Sequence, residues 1–126
     1  MMVRSEARTQ PVLDVAELAQ AAELLRALSA PHRLAIVLEL AVQPRCVHEL
    51  VSALGISQSL ASQHLRVLRS ARLVTGARRG KETLYTLADD HISHIARDAV
   101  IHGTEPRRRN QPEFTSITAT REEHEP

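Results

Sequence analysis

Asp89, His91, His102 and Glu105 fall within one short stretch, D-D-H-I-S-H-I-A-R-D-A-V-I-H-G-T-E, and offer two carboxylates and two imidazoles. Groups of this kind ligate divalent metal ions. At about 100° of turn per residue, a helix over this stretch brings His91 and His102 to within roughly 20° of one another, with Glu105 about 40° to the other side. Three ligands then share one face. At about 1.5 Å of rise per residue the two histidines are nevertheless roughly 16 Å apart along the axis, while a zinc–nitrogen bond is about 2 Å long. One helix therefore cannot close a site with both. Two copies paired antiparallel about a two-fold axis can, because Asp89 and His91 of one chain then meet His102 and Glu105 of the other. A plainer role is open to Asp89, since aspartate is a strong helix N-cap.

The rest of the chain must supply that helix and its dimer. With 126 residues there is room for one domain of modest core, and 43% hydrophobic but only 2% aromatic content means a core of Leu, Val, Ile and Ala, which suits packed helices. A net charge of +1 leaves any nucleic-acid footprint to local clustering. No apolar run approaches the ~18 residues of a membrane span, and the first residues lack a signal peptide's apolar segment, so no membrane association and a cytoplasmic location are expected. The single Cys46 allows no intrachain disulfide.

Residues 1–10 are polar and unpatterned and read as a flexible arm, 11–105 as the folded domain, and 106–126 as a disordered polar tail containing Arg107 to Arg109 and His124. From Val12 to Leu28, residues Leu13, Ala16, Leu18, Ala21, Leu24, Leu25 and Leu28 recur at helical spacing. Ser29-Ala30-Pro31 interrupts them. A second helix, His32 to about Val42, is apolar on so many sides that it should be mostly buried. A short helix over Val47–Leu54 then ends at Gly55, and Ser57 caps another that runs to about Ser70, which makes a helix-turn-helix. In that last helix Leu60, Ala61, Leu65 and Leu68 face inward, and Gln58, Ser59, Ser62, Gln63, His64 and Arg66 form the outer surface. With Ser57 at its start, such a surface suits the major groove of double-stranded DNA.

The segment that follows alternates at Val74, Thr75, Ala77, Thr83, Tyr85 and Leu87 about an Arg79-Gly80-Lys81 turn, and predicts a two-stranded hairpin. Its tip carries Arg78, Arg79 and Lys81, the composition of a wing that touches the phosphate backbone. The expected fold is mainly α with a small β-hairpin, a dimeric winged helix-turn-helix. The last helix, from Asp89 to about His102, has Ile92, Ile95, Ala96, Ala99 and Val100 as its apolar stripe.

The chain resembles the ArsR/SmtB family of dimeric winged-helix repressors, and most closely its zinc-sensing members, from about Val12 to Glu105. The likeness is carried by A-P-H-R-L-A-I-V-L at Ala30 to Leu38, by S-Q-S-L-A-S-Q-H-L-R-V-L from Ser57, by the wing ending Y-T-L, and by D-x-H, ten residues, H-x-x-E. The resemblance implies a homodimer whose first and last helices pair across the two-fold axis, a metal held between the two last helices, and an apo form that binds operator DNA and lets go on metal binding. A hypothetical relay has His102 bind metal through one ring nitrogen and donate from the other to a backbone carbonyl near Arg72.

The chain departs from the family where many relatives carry a second site built on Cys-x-Cys and an N-terminal arm. Here the place reads Cys46-Val47-His48, and no Cys or His precedes His32, so Cys46 and His48 could hold a metal only with outside help. His94, about 60° from His91, is an extra ligand, a buttress or a surface residue, and His32 reads as structural. Two imidazoles and two carboxylates favour tetrahedral zinc; cobalt fits the same set, and nickel would want more ligands. Two other functions fit parts of the pattern: a repressor answering a thiol oxidant through Cys46, and a metal hydrolase using His91, His102 and Glu105. The hydrolase reading needs an open coordination position and a cleft that so short a chain hardly provides, so an enzyme is not expected.

Overall fold

The computed structural model describes residues 14–106. The expectations for residues 1–10, for Leu13, for Arg107 to Arg109 and for His124 lie outside the described residues. Helix α1 spans Val15–Leu28 and begins where its cap dictates. Asp14 Oδ1 accepts from the Glu17 N–H at 2.8 Å and Glu17 Oε1 accepts from the Asp14 N–H at 3.4 Å, a reciprocal pair that satisfies two otherwise orphaned donors. Helix α2, Pro31–Val42, begins at Pro31, which fits the first helical position because no N–H is needed there. Its Ile36, Val37 and Leu40 are buried, but Val42 at its end is 74% exposed, so the burial is narrower than its composition implies.

A two-residue strand β1, Arg45–Cys46, leads into helix α3, Val47–Leu54, which ends at Gly55 with φ 68°, the left-handed conformation that glycine adopts without a Cβ penalty. Helix α4, Gln58–Ser70, is capped by Ser57 Oγ, which accepts from the Leu60 N–H at 3.0 Å. At its other end Leu73 N–H donates to Leu68 O at 2.9 Å and Arg72 N–H to Arg69 O at 3.0 Å. This is a Schellman closure in which Arg72, at φ 66°, holds the position that usually goes to glycine.

Strands β2, Val74–Arg79, and β3, Glu82–Leu87, pair antiparallel, with Arg79 opposite Glu82 across the Gly80-Lys81 turn. Gly80 at φ 64° supplies the positive φ that a tight hairpin requires. The expected two-stranded hairpin is in fact part of a three-stranded sheet of order β1-β3-β2, in which Arg45 pairs Tyr85 and Cys46 pairs Leu84. Helix α5 spans Asp90–Thr104. It runs through Gly103, past the expected end, and Thr104 Oγ1 donates to Val100 O at 2.8 Å.

These elements close on one core of Leu28, Ile36, Val37, Leu40, Leu50, Leu65, Leu68, Leu73, Val74, Ile92 and Ala96. Helix α5 joins it through Ile92 and Ala96, with Ile95 packed against it, while Val100 and Ile101 are exposed. Helix α1 contributes Ala27 and Leu28 and leaves Val15, Leu18 and Leu25 in solvent, each more than half exposed. Among the described residues, Val15, Leu18 and Leu25 of α1 and Val100 and Ile101 near the end of α5 are thus apolar side chains left uncovered. No helix of the described residues is long and apolar enough to cross a membrane.

Candidate nucleic-acid interface and ligand-bearing helix

The outer side of α4 carries Gln58, Ser59, Gln63 and Arg66 exposed, with Ser62 half-buried beside them, as the spacing required. Inward, Ala61, Leu65 and Leu68 are buried and Leu60 only partly so. His64 departs from the expectation that placed it on the outer surface. It is half-buried on the flank toward α2, where Arg33 Nη1 lies 3.3 Å from its Nδ1 and the His32 ring lies 5.6 Å away, centroid to centroid. Arg33 is itself anchored, its Nε donating to Ala27 O at 2.5 Å. Burial first, then the charges of Arg33 and His32, hold the His64 imidazole below its usual range, so the neutral form is favoured.

The wing presents Arg78, Arg79 and Lys81 exposed at the hairpin tip. The geometry adds residues that no motif announced. Arg69, in the last turn of α4, lies with Cζ 6.0 Å from the centre of the Tyr85 ring in β3, and fits there because Gly76 in β2 has no side chain to occupy the space. The recognition helix and the wing are in this way joined by a cation–aromatic contact.

Asp89 and His91 come together at the start of α5. Asp89 is its N-cap, the plainer of the two roles open to it, and its Oδ1 accepts from the His91 N–H at 2.8 Å. The same oxygen lies 3.4 Å from His91 Nδ1. His91, His94 and His102 are all exposed. Glu105 departs from its expected place on the helical face: it is the residue after the last turn, with extended backbone (φ −61°, ψ 143°), so helical register does not hold its carboxylate. Among the described residues of one chain, no three of His, Cys, Asp and Glu converge closely enough to hold a metal ion.

Cys46 and His48 are brought together by Glu82, which sequence spacing could not show. The buried Cys46 thiol donates to Glu82 Oε1 at 3.0 Å, and His48 Nδ1 lies 3.4 Å from Glu82 Oε2. Glu49 Oε1 accepts from the Cys46 N–H at 2.8 Å and anchors the start of α3. The bond to Glu82, then burial, then the charges of Glu82 and Glu49 push the Cys46 thiol up to about 11. At neutral pH the thiol keeps its proton. That is opposite to the electropositive surroundings that make a free cysteine a ready nucleophile.

A capped helix-turn-helix, an outward polar recognition face and a basic hairpin packed against it define a winged helix-turn-helix DNA-binding protein. Residues 30–75 match the family described as bacterial regulatory protein, arsR family. The chain is 55% identical over 102 residues to the HTH-type transcriptional repressor SmtB of Mycobacterium tuberculosis, covering 80% of this chain and 76% of that protein. It is 40% identical over 99 residues to the HTH-type transcriptional regulator NmtR of the same organism, covering 77% and 82%. Its structure is similar to the homodimeric winged helix-turn-helix DNA-binding domain Mb0332 of Mycobacterium bovis, with TM-score 0.65 and 30% identity, covering 71% of this chain and 83% of that one. The chain belongs to the ArsR/SmtB family. Its relatives are transcriptional regulators, not enzymes.

Proposed function

We propose that this protein is a homodimeric, metal-responsive transcriptional repressor that binds operator DNA in its apo form and lets go when a metal, zinc by preference, is held between its last helices. The observation that carries this reading is the division of ligands on α5. Asp89 and His91 meet at one end, His102 and Glu105 stand exposed at the other, and Val100 and Ile101 nearby are apolar and uncovered. Half-sites at the two ends of a helix that also exposes apolar side chains suit an antiparallel partner, and the exposed Val15, Leu18 and Leu25 of α1 offer further surface to it. The homodimeric assembly of Mb0332 supports the same stoichiometry here.

The donor set fits the metal proposed. Two imidazole nitrogens and two carboxylates, with no thiolate, suit zinc in a closed tetrahedral site, and cobalt as well. Both contacts to Asp89 fall on Oδ1, so the carboxylate can orient His91 through one oxygen and offer the other as a ligand. Bound metal would supply a cross-link between subunits. What this chain adds is the link to DNA: a His102 ring N–H donating to a backbone carbonyl near Arg72, at the end of the recognition helix. A coupling of only a few kcal/mol between the two ends suffices to change DNA occupancy.

The test is fluorescence anisotropy of a duplex from the protein's own upstream region, with zinc, cobalt and nickel added in turn and then reversed by a chelator. The apo protein binds and zinc releases it. The His102→Ala variant binds equally well and stays bound in zinc; if zinc still released it, the relay would be wrong.

A further inference from the structure

Between α4 and the wing runs an open groove of about 550 Å³ lined by Ser62, Leu65, Arg66, Arg69, Ser70 and Tyr85. Two guanidiniums, two aliphatic hydroxyls and a phenol border it, and no acidic residue does. Among the described residues neither Arg66 nor Arg69 has an ion-pair partner. Arg69 is at the same time directed toward the wing. Its Cζ rests 6.0 Å from the Tyr85 ring centre, and a Cβ on Gly76 would come within 3.2 Å of it.

The groove also continues the reading face of the helix. At about 100° per residue, Arg69, Ser62, Arg66, Ser59, Ser70 and Gln63 succeed one another around an arc of about 120°. Ser59 and Gln63 therefore face outward where Arg69 and Ser62 face the wing. In duplex DNA one sugar–phosphate strand separates each major groove from the adjacent minor groove. A helix set in the first and a hairpin tip set in the second must straddle that strand, and the space between helix and hairpin receives it.

We propose that this groove is a phosphate seat for the DNA backbone, with Arg69 and Arg66 donating to the oxygens of one phosphodiester and the hydroxyls of Ser62 and Ser70 beside them. The proposal rests on the DNA-binding reading above and adds to it an interaction that fixes register without reading sequence. A planar guanidinium suits two phosphate oxygens at once. The contact with Tyr85 already directs Arg69 toward the groove, which lowers the side-chain freedom surrendered on binding.

Anisotropy titrations across a series of salt concentrations, on the upstream duplex and on a random duplex, test it. Arg69→Ala should weaken both by a similar factor, on the order of tenfold per subunit. It should also flatten the plot of log affinity against log salt by about 0.9 for each phosphate that is no longer neutralised. Arg69→Lys keeps the charge and should keep the slope. A duplex with a neutral methylphosphonate at the phosphate between recognition helix and wing should cost the wild type at least the same factor and cost Arg69→Ala, which keeps only Arg66 and the hydroxyls there, clearly less. Weakened binding with an unchanged slope would make Arg69 a packing residue and overturn the seat, as would methylphosphonate losses that add in full to those of Arg69→Ala. Should the unaltered protein bind neither duplex, the DNA-binding reading itself would fall, and the seat with it.

Discussion

An alanine at position 76 would place its Cβ 2.9 Å from Thr83 Cγ2, 3.2 Å from Arg69 Cζ and 3.3 Å from Arg69 Nη1. The guanidinium is the end of a long side chain and can swing away. The threonine methyl cannot follow so easily, because a β-branched residue in a strand is stiff at χ1. Overpacking of this kind costs about 1–3 kcal/mol. Against it stands the entropy that glycine surrenders on folding, about 0.4–1 kcal/mol in favour of alanine where the conformation allows. Gly76→Ala should therefore destabilise by about 1 kcal/mol, and by displacing Arg69 it should also lower DNA affinity. The companion change Thr83→Ser removes the methyl that Cβ meets, so in that background Gly76→Ala should be close to neutral in stability. The difference between the two backgrounds, roughly 1 kcal/mol, is a coupling energy that a double-mutant cycle measures. Urea melts at one fixed protein concentration give it, the concentration being held because a dimer's midpoint depends on it. If Gly76→Ala cost the same in both backgrounds, the packing argument for the groove would be refuted.

Four further outcomes follow from single residues. Arg72 has φ 66°, a conformation that costs an L-residue about 1–2 kcal/mol, and after the entropy of an unfolded glycine is set against it Arg72→Gly should raise stability by about 0.5–1 kcal/mol, or several degrees in Tm; a lowered midpoint would show that the side chain stabilises in some other way. Cys46 is raised from 9.0 to about 11, so the folded state holds a proton that the unfolded chain releases first; the stability is fully present below pH 9 and is lost as pH rises toward 11, and Cys46→Ala should flatten that alkaline limb in urea melts. His64 is shifted the other way from 6.5, so its stability is complete above that value and falls as pH drops through the lowered value, a fall that His64→Gln should reduce. Leu25, 55% exposed in one chain, should become a poor dimer residue as Leu25→Glu, and sedimentation at micromolar protein should show monomer; an unshifted dimer would move the interface off α1.

Much of this fold is legible in local chemistry that admits few alternatives. Gly55 can end α3, Ser57 can start α4 and Gly80 can turn the wing because each does by backbone conformation or capping what few other residues do as well. Strand β1 is not legible: two residues carry no period, and Arg45–Cys46 becomes a strand only because β3 lies beside it. Arg72 is hidden for a related reason, since the Schellman closure imposes a left-handed residue whatever the side chain. Apolar periodicity in α1 locates the helix but not what covers it, and Val15, Leu18 and Leu25 turn out to be uncovered among the described residues. At the site, recognition-helix and wing residues follow from spacing. Arg69, Tyr85 and Glu82 do not, since their roles come from contacts between elements distant in sequence. His64 departs from its expected place because the helix wheel shows which way a residue points and not that Arg33 reaches across to it.

The central claim, that each metal site is assembled from the two ends of two different helices, can be measured by complementation. One chain carries Asp89→Ala and His91→Ala, the other His102→Ala and Glu105→Ala, and differently tagged copies are co-expressed so that mixed dimers can be isolated. Neither homodimer should bind zinc tightly, whereas the mixed dimer should recover one intact site and, with it, half the wild-type zinc content. A mixed dimer as empty as its parents, or a parental homodimer that still binds zinc with wild-type affinity, would contradict the account.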